Sequence, residues 1–403
     1  MNSERIIRSL FTSIRSNLKL GAAGRPLTLL SPPEETRRRR RRRTSGERHN
    51  HKRKTQQQAR SSNGTVGMSG SERENGRGRG GLPFPPANIQ VIDVDGDPTE
   101  VVESVSLMRS KPALEIIIFP GNPGSALFYI PYMQYLHDTL EYCVRVRTVS
   151  HLGHSRDAGY KAAFYTLEDQ VMHKLRFLET EVGDCDETPV LVVGHSIGGF
   201  MAIEAVKRWS ARLAERSGGG NGKSGEKKMM KNCRILAQMP YMQFDESSSK
   251  QRSLEKVAQR PYIPAAVSSA LGLIPKFISV RLIKAFDKNL EEESAKHVAN
   301  QLFSYTVAHN AFSLAQSEFR SLRRQEIDWK WLGDNWKNLG FVFCPDDHWS
   351  PEHLCSSMRE NLPKSAFIRF EEDQFHGFVT RRDSSMKMAE LTKEFLSSSS
   401  PSS

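Results

Sequence analysis

Short apolar runs alternate along the chain with stretches in which apolar residues recur at helical spacing. The runs are rich in β-branched side chains, which is typical of buried strands. Strands are predicted at residues 88–94, 101–107, 113–119, 144–150, 190–193, 234–239, 338–344 and 365–370. Helical spacing recurs at residues 127–140, 167–182 and 386–395. Strands that alternate with helices form a mostly parallel sheet covered on both faces, so the sequence predicts an α/β fold.

The alternation is interrupted once, in a long segment that is predicted to be mainly helical. We therefore predict a core in two parts, residues 82–240 and 336–396, with a helical cap or lid inserted at 241–335. Within the insertion, residues 260–286 are strongly apolar but contain three prolines, so they do not form a straight membrane span. They suit a lid or a hairpin that lies in a membrane surface. The alternative is a cap that packs against the core and does not contact a membrane.

One predicted strand, residues 190–193, runs into a sharp turn with a serine at its apex. The turn reads Gly-His-Ser-Ile-Gly over residues 194–198, and helical spacing begins directly after it. This strand–turn–helix pattern is the nucleophile elbow of the α/β-hydrolases, in which the serine Oγ is exposed above the sheet. The helix N-terminus favours a developing oxyanion. The sequence therefore predicts an α/β-hydrolase fold with Ser196 as the nucleophile, against the simpler interpretation of a Gly/Ser loop.

A catalytic serine needs a base, and the base needs a carboxylate that orients it. In α/β-hydrolases these partners follow the serine in the order acid, then histidine, each at the end of a strand. Asp346 and Asp347 follow the predicted strand at 338–344, and His376 follows the last predicted strand. We predict that His376 is the general base and acid, with His348 as a weaker rival. Spacing alone does not choose between the two aspartates.

Two backbone N–H groups are needed to bind the oxyanion of the reaction. One is predicted to belong to Ile197, directly after the nucleophile. The other is expected in the loop after the strand at 113–119, which reads Pro-Gly-Asn-Pro-Gly. Because Pro123 has no N–H, Asn122 is the better candidate. A simple Pro/Gly turn is the alternative for this loop.

Several histidines are expected near the substrate pocket. His154 and His195 are predicted to shape or line the substrate pocket. His151, His154 and Asp157, with His348, also offer metal-ligand side chains, but we expect no metal site here. The triad chemistry needs neither a metal nor an organic cofactor.

The excess of basic over acidic side chains lies at the beginning of the chain. The net charge is +12, and residues 1–80 hold 20 of the 58 Lys and Arg residues but six of the 46 Asp and Glu residues. The rest of the chain therefore carries 38 basic and 40 acidic side chains. Residues 1–81 are predicted to be a disordered basic tail, and 397–403 a disordered end. The tail contains an Arg run at 37–43 but no aromatic residue between Phe11 and Phe84, so nucleic-acid binding is not expected.

The first twenty residues are amphipathic, basic and nearly free of acidic side chains. This composition is typical of organelle transit peptides and of helices that lie on a membrane surface. A disordered start with accidental periodicity is the alternative. The five cysteines are scattered and form no Cys-x-x-Cys pair. They favour reduced thiols in a cytosol-facing compartment.

The motifs taken together resemble those of the lipid droplet-associated hydrolase family. They are Phe-Pro-Gly-Asn-Pro-Gly at 119–124, Ser-His-Leu-Gly-His at 150–154, Gly-His-Ser-Ile-Gly at 194–198, Asp-His-Trp-Ser-Pro at 347–351 and His-Gly-Phe at 376–378. The resemblance covers residues 113–395. In that family the acid lies in an Asp-x-Trp-x-Pro segment, which implies Asp347. The basic tail and a Gly/Lys-rich insert at 217–231 depart from the family.

The resemblance implies a serine esterase that acts on neutral-lipid esters, sterol esters among them, at lipid droplets or the endoplasmic reticulum. We therefore predict a Ser196–His376–Asp347 hydrolase that forms an acyl-enzyme on a lipid ester. One alternative is a droplet or membrane adaptor on a hydrolase fold that docks through residues 260–286. Another is an RNA-associated role for the Arg-rich tail. Targeting to an organelle through the basic N-terminus is the alternative for localisation.

Overall fold

The structure is a computed structural model that describes residues 87–104, 112–140, 144–159, 164–183, 188–216 and 231–398. The predicted disordered tail at 1–81 and the predicted amphipathic segment within it lie outside the described residues. So do most of the Gly/Lys-rich insert at 217–231 and most of the predicted disordered end at 397–403.

Eight strands of the described residues form one sheet. They are β1 (Ala87–Val94), β2 (Asp97–Ser104), β3 (Leu114–Phe119), β4 (Val144–Val149), β5 (Val190–His195), β6 (Cys233–Gln238), β7 (Leu339–Phe343) and β8 (Phe367–Phe370). Their order is β1-β2-β4-β3-β5-β6-β7-β8. β2 pairs antiparallel with β1 and β4, and all pairs from β4 to β8 are parallel. The mostly parallel sheet predicted from the sequence is thereby confirmed.

The second strand begins before residue 101, where the sequence predicted its start. Asp95 and Gly96 have φ angles of 54° and 84°, and Val94 pairs with Asp97. Positive φ at both central residues is the geometry of a two-residue hairpin turn, for which Asp-Gly is a favoured sequence. The prediction missed the first residues of β2 because Asp97 and Pro98 are types that strands disfavour.

Eleven α-helices of the described residues accompany the sheet. They are α1 (Ile130–Thr139), α2 (Leu167–Phe177), α3 (Ile197–Arg216), α4 (Ser249–Ala258), α5 (Tyr262–Leu271), α6 (Lys276–Phe286), α7 (Glu292–His297), α8 (Tyr305–Leu322), α9 (Trp329–Asp334), α10 (Glu352–Asn361) and α11 (Arg382–Ser397). A 3-10 turn at Ala126–Tyr129 precedes α1, and a π-helical turn at Leu178–Val182 ends α2. The closing helix α11 is longer at both ends than the predicted 386–395, so it includes Ser397 of the predicted disordered end.

Side chains that alternate along the central strands belong to two separate cores. Ile117 and Val192 belong to one core, and Ile116 and Leu191 to the other, as the two-residue period of a strand requires. The first core includes apolar residues of α2, α3 and α10, and the second includes residues of α1 and α11. Helices therefore cover both faces of the sheet and leave its carboxyl edge for the loops.

The segment between β6 and β7, predicted to be mainly helical, contains α4 to α9. Among the described residues, no single helix is long and apolar enough to span a membrane. α5 and α6 reach that length and composition when taken as a pair, and the two helices meet at a bend of 117°. Several large apolar side chains of this pair and of the turn between its helices are exposed, Leu273 of the turn at 86% and Phe277 of α6 at 64% among them.

Candidate active site

Ser196 lies between β5 and α3 in a backbone conformation that few non-glycine residues adopt. Its φ is 56°, and its N–H donates to the carbonyl of Gln238 at 2.9 Å. The backbone is closely packed here, because a Cβ on Gly194 would overlap the carbonyl of Gly198, and a Cβ on Gly198 would overlap that of Phe119. Because these two residues have no side chain, the strand, the helix and the neighbouring loop can pack closely against one another. The turn presents Ser196 at the carboxyl edge of the sheet, where α/β proteins place their ligands.

Side chains that follow β5, β7 and β8 meet at this edge. His376 Nε2 lies 2.9 Å from Ser196 Oγ, and His376 Nδ1 lies 2.7 Å from Asp347 Oδ2. Since a carboxylate can only accept, Nδ1 carries the proton, and Nε2 accepts the hydrogen bond from the serine hydroxyl. This is the tautomer in which an imidazole can take the serine proton.

Of the two adjacent aspartates, Asp347 is the one in contact with the histidine. Its side chain is fully buried, whereas Asp346 is exposed and has a φ of 54°. The second oxygen of Asp347 accepts from the N–H groups of Trp349 at 2.9 Å and Ser350 at 3.2 Å. These two bonds orient the carboxylate toward His376. The geometry thus distinguishes two residues that the spacing left equivalent.

The loop after β3 lies directly against the serine. A Cβ on Gly121 would lie 3.0 Å from Ser196 Cβ, and the Gly121 N–H donates to the hydroxyl of Tyr129 at 2.8 Å. The Gly121 N–H is therefore already engaged, and Pro123 has none. The N–H of Asn122 is left in this part of the loop as the candidate donor for an oxyanion, and the other candidate, Ile197, begins α3.

The side chain of Asn122 points away from the sheet toward α8. Its Nδ2 donates to the carbonyl of Ala311 at 2.9 Å and to Glu318 Oε1 at 3.2 Å. Glu318 is 3% exposed, and burial raises the pKa of its carboxyl to about 8, although the hydrogen bond from Asn122 opposes this shift. The predicted oxyanion loop is therefore bonded to a helix of the segment between β6 and β7.

His195, predicted to line the substrate pocket, has both ring nitrogens engaged by protein groups. Nδ1 lies 2.6 Å from the Tyr129 hydroxyl, and Nε2 lies 2.7 Å from the carbonyl oxygen of His376. The residue is 5% exposed. Burial, and then the nearby His376, lower the pKa of His195 to about 3. Contact of its ring with a substrate stays a prediction.

His154 is bonded to the loop after β3, and its contact with a substrate stays a prediction. It is fully buried, and its Nδ1 accepts from the N–H of Gly124 at 2.8 Å. Burial, and then the buried Lys174, lower the pKa of His154 to about 3. The ring of His151 also packs against Gly124, so closely that a Cβ on Gly124 would overlap the His151 ring. Within the described ranges, no group of three or more His, Cys, Asp or Glu side chains is arranged to hold a metal ion.

Three residues at the site were not singled out from the sequence. They are Tyr129, Glu318 and Cys344, whose thiol lies 3.7 Å from Asp347 Oδ2. Burial, and then the Asp347 carboxylate, raise the pKa of the Cys344 thiol. Tyr129 and Glu318 each belong to a helical stripe of apolar residues. A polar side chain inside such a stripe is the signal that marks a buried group in need of a partner.

The strand order, the turn at Ser196 and the acid-then-histidine order along the chain are those of an α/β-hydrolase. The fold class predicted from the sequence is therefore confirmed. The family model described as lipid-droplet associated hydrolase matches residues 112–379. The chain belongs to this family of hydrolases, as the resemblance of its motifs implied.

Curated relatives of the family match over most of their length. The lipid droplet-associated hydrolase of Gallus gallus is 25% identical over 301 residues, which cover 72% of this chain and 86% of the relative. The Homo sapiens protein of the same name is 24% identical over 329 residues, covering 77% and 93%. The Dictyostelium discoideum protein is 22% identical over 308 residues, covering 74% and 92%. The family name links these relatives to lipid droplets.

Proposed function

We propose that this protein is a serine esterase that cleaves carboxylic esters of lipids or sterols through Ser196, His376 and Asp347. The observation that carries the proposal is the unbroken hydrogen-bond chain from Ser196 Oγ through the imidazole to the buried carboxylate. Membership in a family of hydrolases supports hydrolysis as the type of reaction. The imidazole is 24% exposed, so a substrate can reach it from solvent.

Acylation begins when Ser196 Oγ attacks the ester carbonyl carbon and its proton moves to His376 Nε2. The carbonyl oxygen becomes an oxyanion, which accepts hydrogen bonds from the N–H groups of Ile197 and Asn122. Asp347 stabilises the imidazolium. The bond to the alcohol oxygen then breaks, and the alcohol leaves with the proton from Nε2. The acyl group remains on Ser196.

Deacylation repeats these steps with water in place of the serine. His376 Nε2 takes a proton from the water, whose oxygen attacks the acyl carbon and forms a second oxyanion. When this second tetrahedral intermediate breaks down, the bond between the acyl carbon and Oγ breaks. Ser196 recovers its proton from Nε2, and the carboxylic acid is released. The cycle consumes one water and needs no redox step.

The proposed place of action is the surface of a lipid droplet or of the endoplasmic reticulum, on its cytosolic side. The support is the exposed apolar surface of α5, α6 and the turn between them, on which Leu273 of the turn is 86% exposed, and Phe277 and Phe286 of α6 are 64% and 50% exposed. Exposed apolar surface of this kind marks a contact with lipid or protein. The basic residues Arg281 and Lys284 of α6 suit anionic headgroups.

The test is labelling of the full chain by a fluorophosphonate probe, together with hydrolysis of an emulsified cholesteryl or glyceryl ester. Ser196→Ala and His376→Ala should abolish labelling and lower kcat by on the order of 10⁶-fold, as removal of triad members does elsewhere. The matched control is Ser210→Ala in α3, because Ser210 is 5% exposed and its Oγ has no hydrogen-bond partner among the described residues. This variant should show the same labelling and the same kcat as the wild type.

Two outcomes would overturn the proposal. Undiminished ester cleavage by Ser196→Ala would show that another nucleophile does the chemistry. Folded wild-type protein that neither labels nor cleaves any ester would leave a droplet adaptor as the better account of the fold.

A further inference from the structure

A second line of hydrogen bonds runs behind the proposed triad and joins three separate segments. The N–H of Gly121 donates to the Tyr129 oxygen at 2.8 Å, and the Tyr129 hydroxyl lies 2.6 Å from His195 Nδ1. His195 Nε2 lies 2.7 Å from the carbonyl oxygen of His376. The line starts in the loop after β3, passes through the residue before the serine and ends on the backbone of the proposed base.

The chemistry of the groups fixes the direction of every bond in this line. A carbonyl oxygen can only accept, so His195 Nε2 must carry a hydrogen. Burial lowers the pKa of His195 to about 3, so the ring is neutral and Nδ1 is an acceptor. The Tyr129 hydroxyl must then donate to Nδ1, and burial raises the pKa of Tyr129, which keeps that proton in place. Its oxygen is left to accept from Gly121.

We infer that Tyr129 and His195 are positioning residues that hold the loop at Gly121 and the backbone of His376 in the arrangement that ester cleavage requires. The inference rests on the proposed function, because it takes Ser196 and His376 as reacting groups. Neither positioning residue touches the reacting atoms. Tyr129 and His195 are 2% and 5% exposed, and the polar atoms of both side chains are engaged within the protein.

His376 needs such an anchor because it lies among turns between β8 and α11. Asp347 holds one nitrogen of the imidazole, but a single side-chain bond leaves the backbone able to shift. The bond from His195 fixes the carbonyl of the same residue, so that His376 is held at both its ring and its backbone. The His195 ring also packs against Phe378, with ring centroids 4.9 Å apart. A catalytic group that moves by about 1 Å loses on the order of 100-fold in rate.

The other end of the line acts on the oxyanion loop. Because the Gly121 N–H donates to Tyr129, it is not available to the carbonyl of a substrate. The next N–H along the chain belongs to Asn122, the proposed oxyanion donor. One tyrosine hydroxyl therefore orients the base and the oxyanion donor together.

Tyr129→Phe is the direct test, because it removes one oxygen and keeps the ring. It leaves the Gly121 N–H and His195 Nδ1 without their partner. The expected result is a loss of about 100-fold in kcat for ester cleavage, with KM within twofold of the wild type. The rate constant of fluorophosphonate labelling should fall by a similar factor.

Tyr132→Phe is the matched control. Tyr132 lies in α1, is fully buried, and its hydroxyl bonds to Gln238 and Thr392, each at 2.8 Å. Removing this hydroxyl costs buried hydrogen bonds in the same way, so Tm should fall at least as much as in Tyr129→Phe. The value of kcat should stay within about twofold of the wild type, because this hydroxyl does not contact the loop at Gly121 or His195.

The protonation of the His195 ring is a further measurement, and a mere loss of stability would not change it. In protein labelled with ¹⁵N-histidine, the wild type should show His195 with hydrogen on Nε2 and a hydrogen-bonded Nδ1. In Tyr129→Phe the Nδ1 resonance should move downfield, because it loses its donor. His195→Gln assigns the signal by removing it. This variant also replaces Tyr129→Phe as the kinetic test if the latter does not fold, and it should show the same loss of kcat.

The outcomes separate this inference from the proposed function. If Ser196→Ala is inactive but folded Tyr129→Phe and His195→Gln keep wild-type kcat, the inference is wrong and the esterase stands. If Tyr132→Phe loses as much kcat as Tyr129→Phe, the effect belongs to the buried core and the inference is wrong again. If Ser196→Ala keeps full activity, the proposed function itself is wrong.

Discussion

A carboxylate cannot donate a hydrogen bond, and this property of Asp347 decides which nitrogen of His376 carries the proton. Asp347→Asn keeps the shape of the side chain but can offer an amide hydrogen to Nδ1. The imidazole would then carry its proton on Nε2, where it could not accept the proton of Ser196. We expect kcat for ester cleavage to fall by about 10⁴-fold while Tm changes little. Steady-state kinetics and thermal unfolding measure the two quantities.

Asp346→Asn is the control for this prediction, since Asp346 is adjacent in sequence but exposed. It should retain wild-type kcat. If instead Asp346→Asn is the inactive variant and Asp347→Asn the active one, the pairing of His376 with Asp347 is not the one used in the reaction.

Glu318 makes the stability of the protein depend on pH in the direction opposite to that of most acids. Burial raises the pKa of its carboxyl from 4.5 to about 8. At pH values between these two, the unfolded chain releases a proton that the folded protein keeps, so the free energy of unfolding falls as pH rises through this window. Each unit of pKa corresponds to about 1.4 kcal/mol. Glu318→Gln, which cannot ionise, should raise Tm relative to the wild type at pH 8 and much less at pH 4.

The comparison for this prediction is Glu360→Gln on α10, where the glutamate is exposed. Its Tm difference from the wild type should be the same at both pH values. If the Tm difference between Glu318→Gln and the wild type is also the same at both pH values, the raised pKa of Glu318 is contradicted.

At the scale of elements, the close approach of α3 to the end of β3 depends on the absence of one side chain. A Cβ on Gly198 would overlap the carbonyl oxygens of Phe119 and Pro120, which belong to backbone rather than to mobile side chains. Gly198→Ala must therefore move the helix or the loop, at a cost of about 1–3 kcal/mol. We expect a lower Tm and, because the loop carries Asn122, a lower kcat as well.

Gly333→Ala in α9 is the matched substitution, since a Cβ there meets no atom within 4 Å. Alanine is favoured over glycine inside a helix by about 1 kcal/mol, so this variant should be slightly more stable and equally active. Equal Tm and kcat in Gly198→Ala and the wild type would contradict the close packing at the turn.

The elements that the sequence predicted well are those whose signal is local. The strand β5 begins with a continuous apolar run that is rich in valine, and the Gly-x-Ser-x-Gly motif comes directly after that run, so both were predicted. Ser196, Asp347 and His376 were proposed from the motif order and the resemblance. Tyr129 and Glu318 were missed because their partners, His195 and Asn122, lie 66 and 196 residues away along the chain. No periodicity encodes such a pair, and only the folded sheet brings its members together.

At the scale of the whole molecule, the charge of the chain says little about how the folded part meets a lipid surface. The basic excess lies in residues 1–80, and the remaining residues carry 38 basic and 40 acidic side chains. We therefore expect the proposed binding to a droplet to come mainly from apolar contacts. The bent pair α5 and α6 and the turn between them present the large exposed side chains that such contacts need, the two most exposed being Leu273 of the turn and Phe277 of α6.

Leu273→Asp combined with Phe277→Asp tests whether this surface holds the protein on lipid. Burying one such side chain fully is worth about 1.5–3 kcal/mol, so losing two should weaken binding by about 100-fold or more. The measurement is co-flotation of the full chain with triolein droplets coated by a phospholipid monolayer. Labelling by a fluorophosphonate in solution should stay at the wild-type level, because both side chains point to solvent. Met386→Asp, an exposed apolar residue of α11, should float like the wild type. If the double variant floats like the wild type too, α5 and α6 do not form the lipid contact, and the basic tail becomes the next segment to delete.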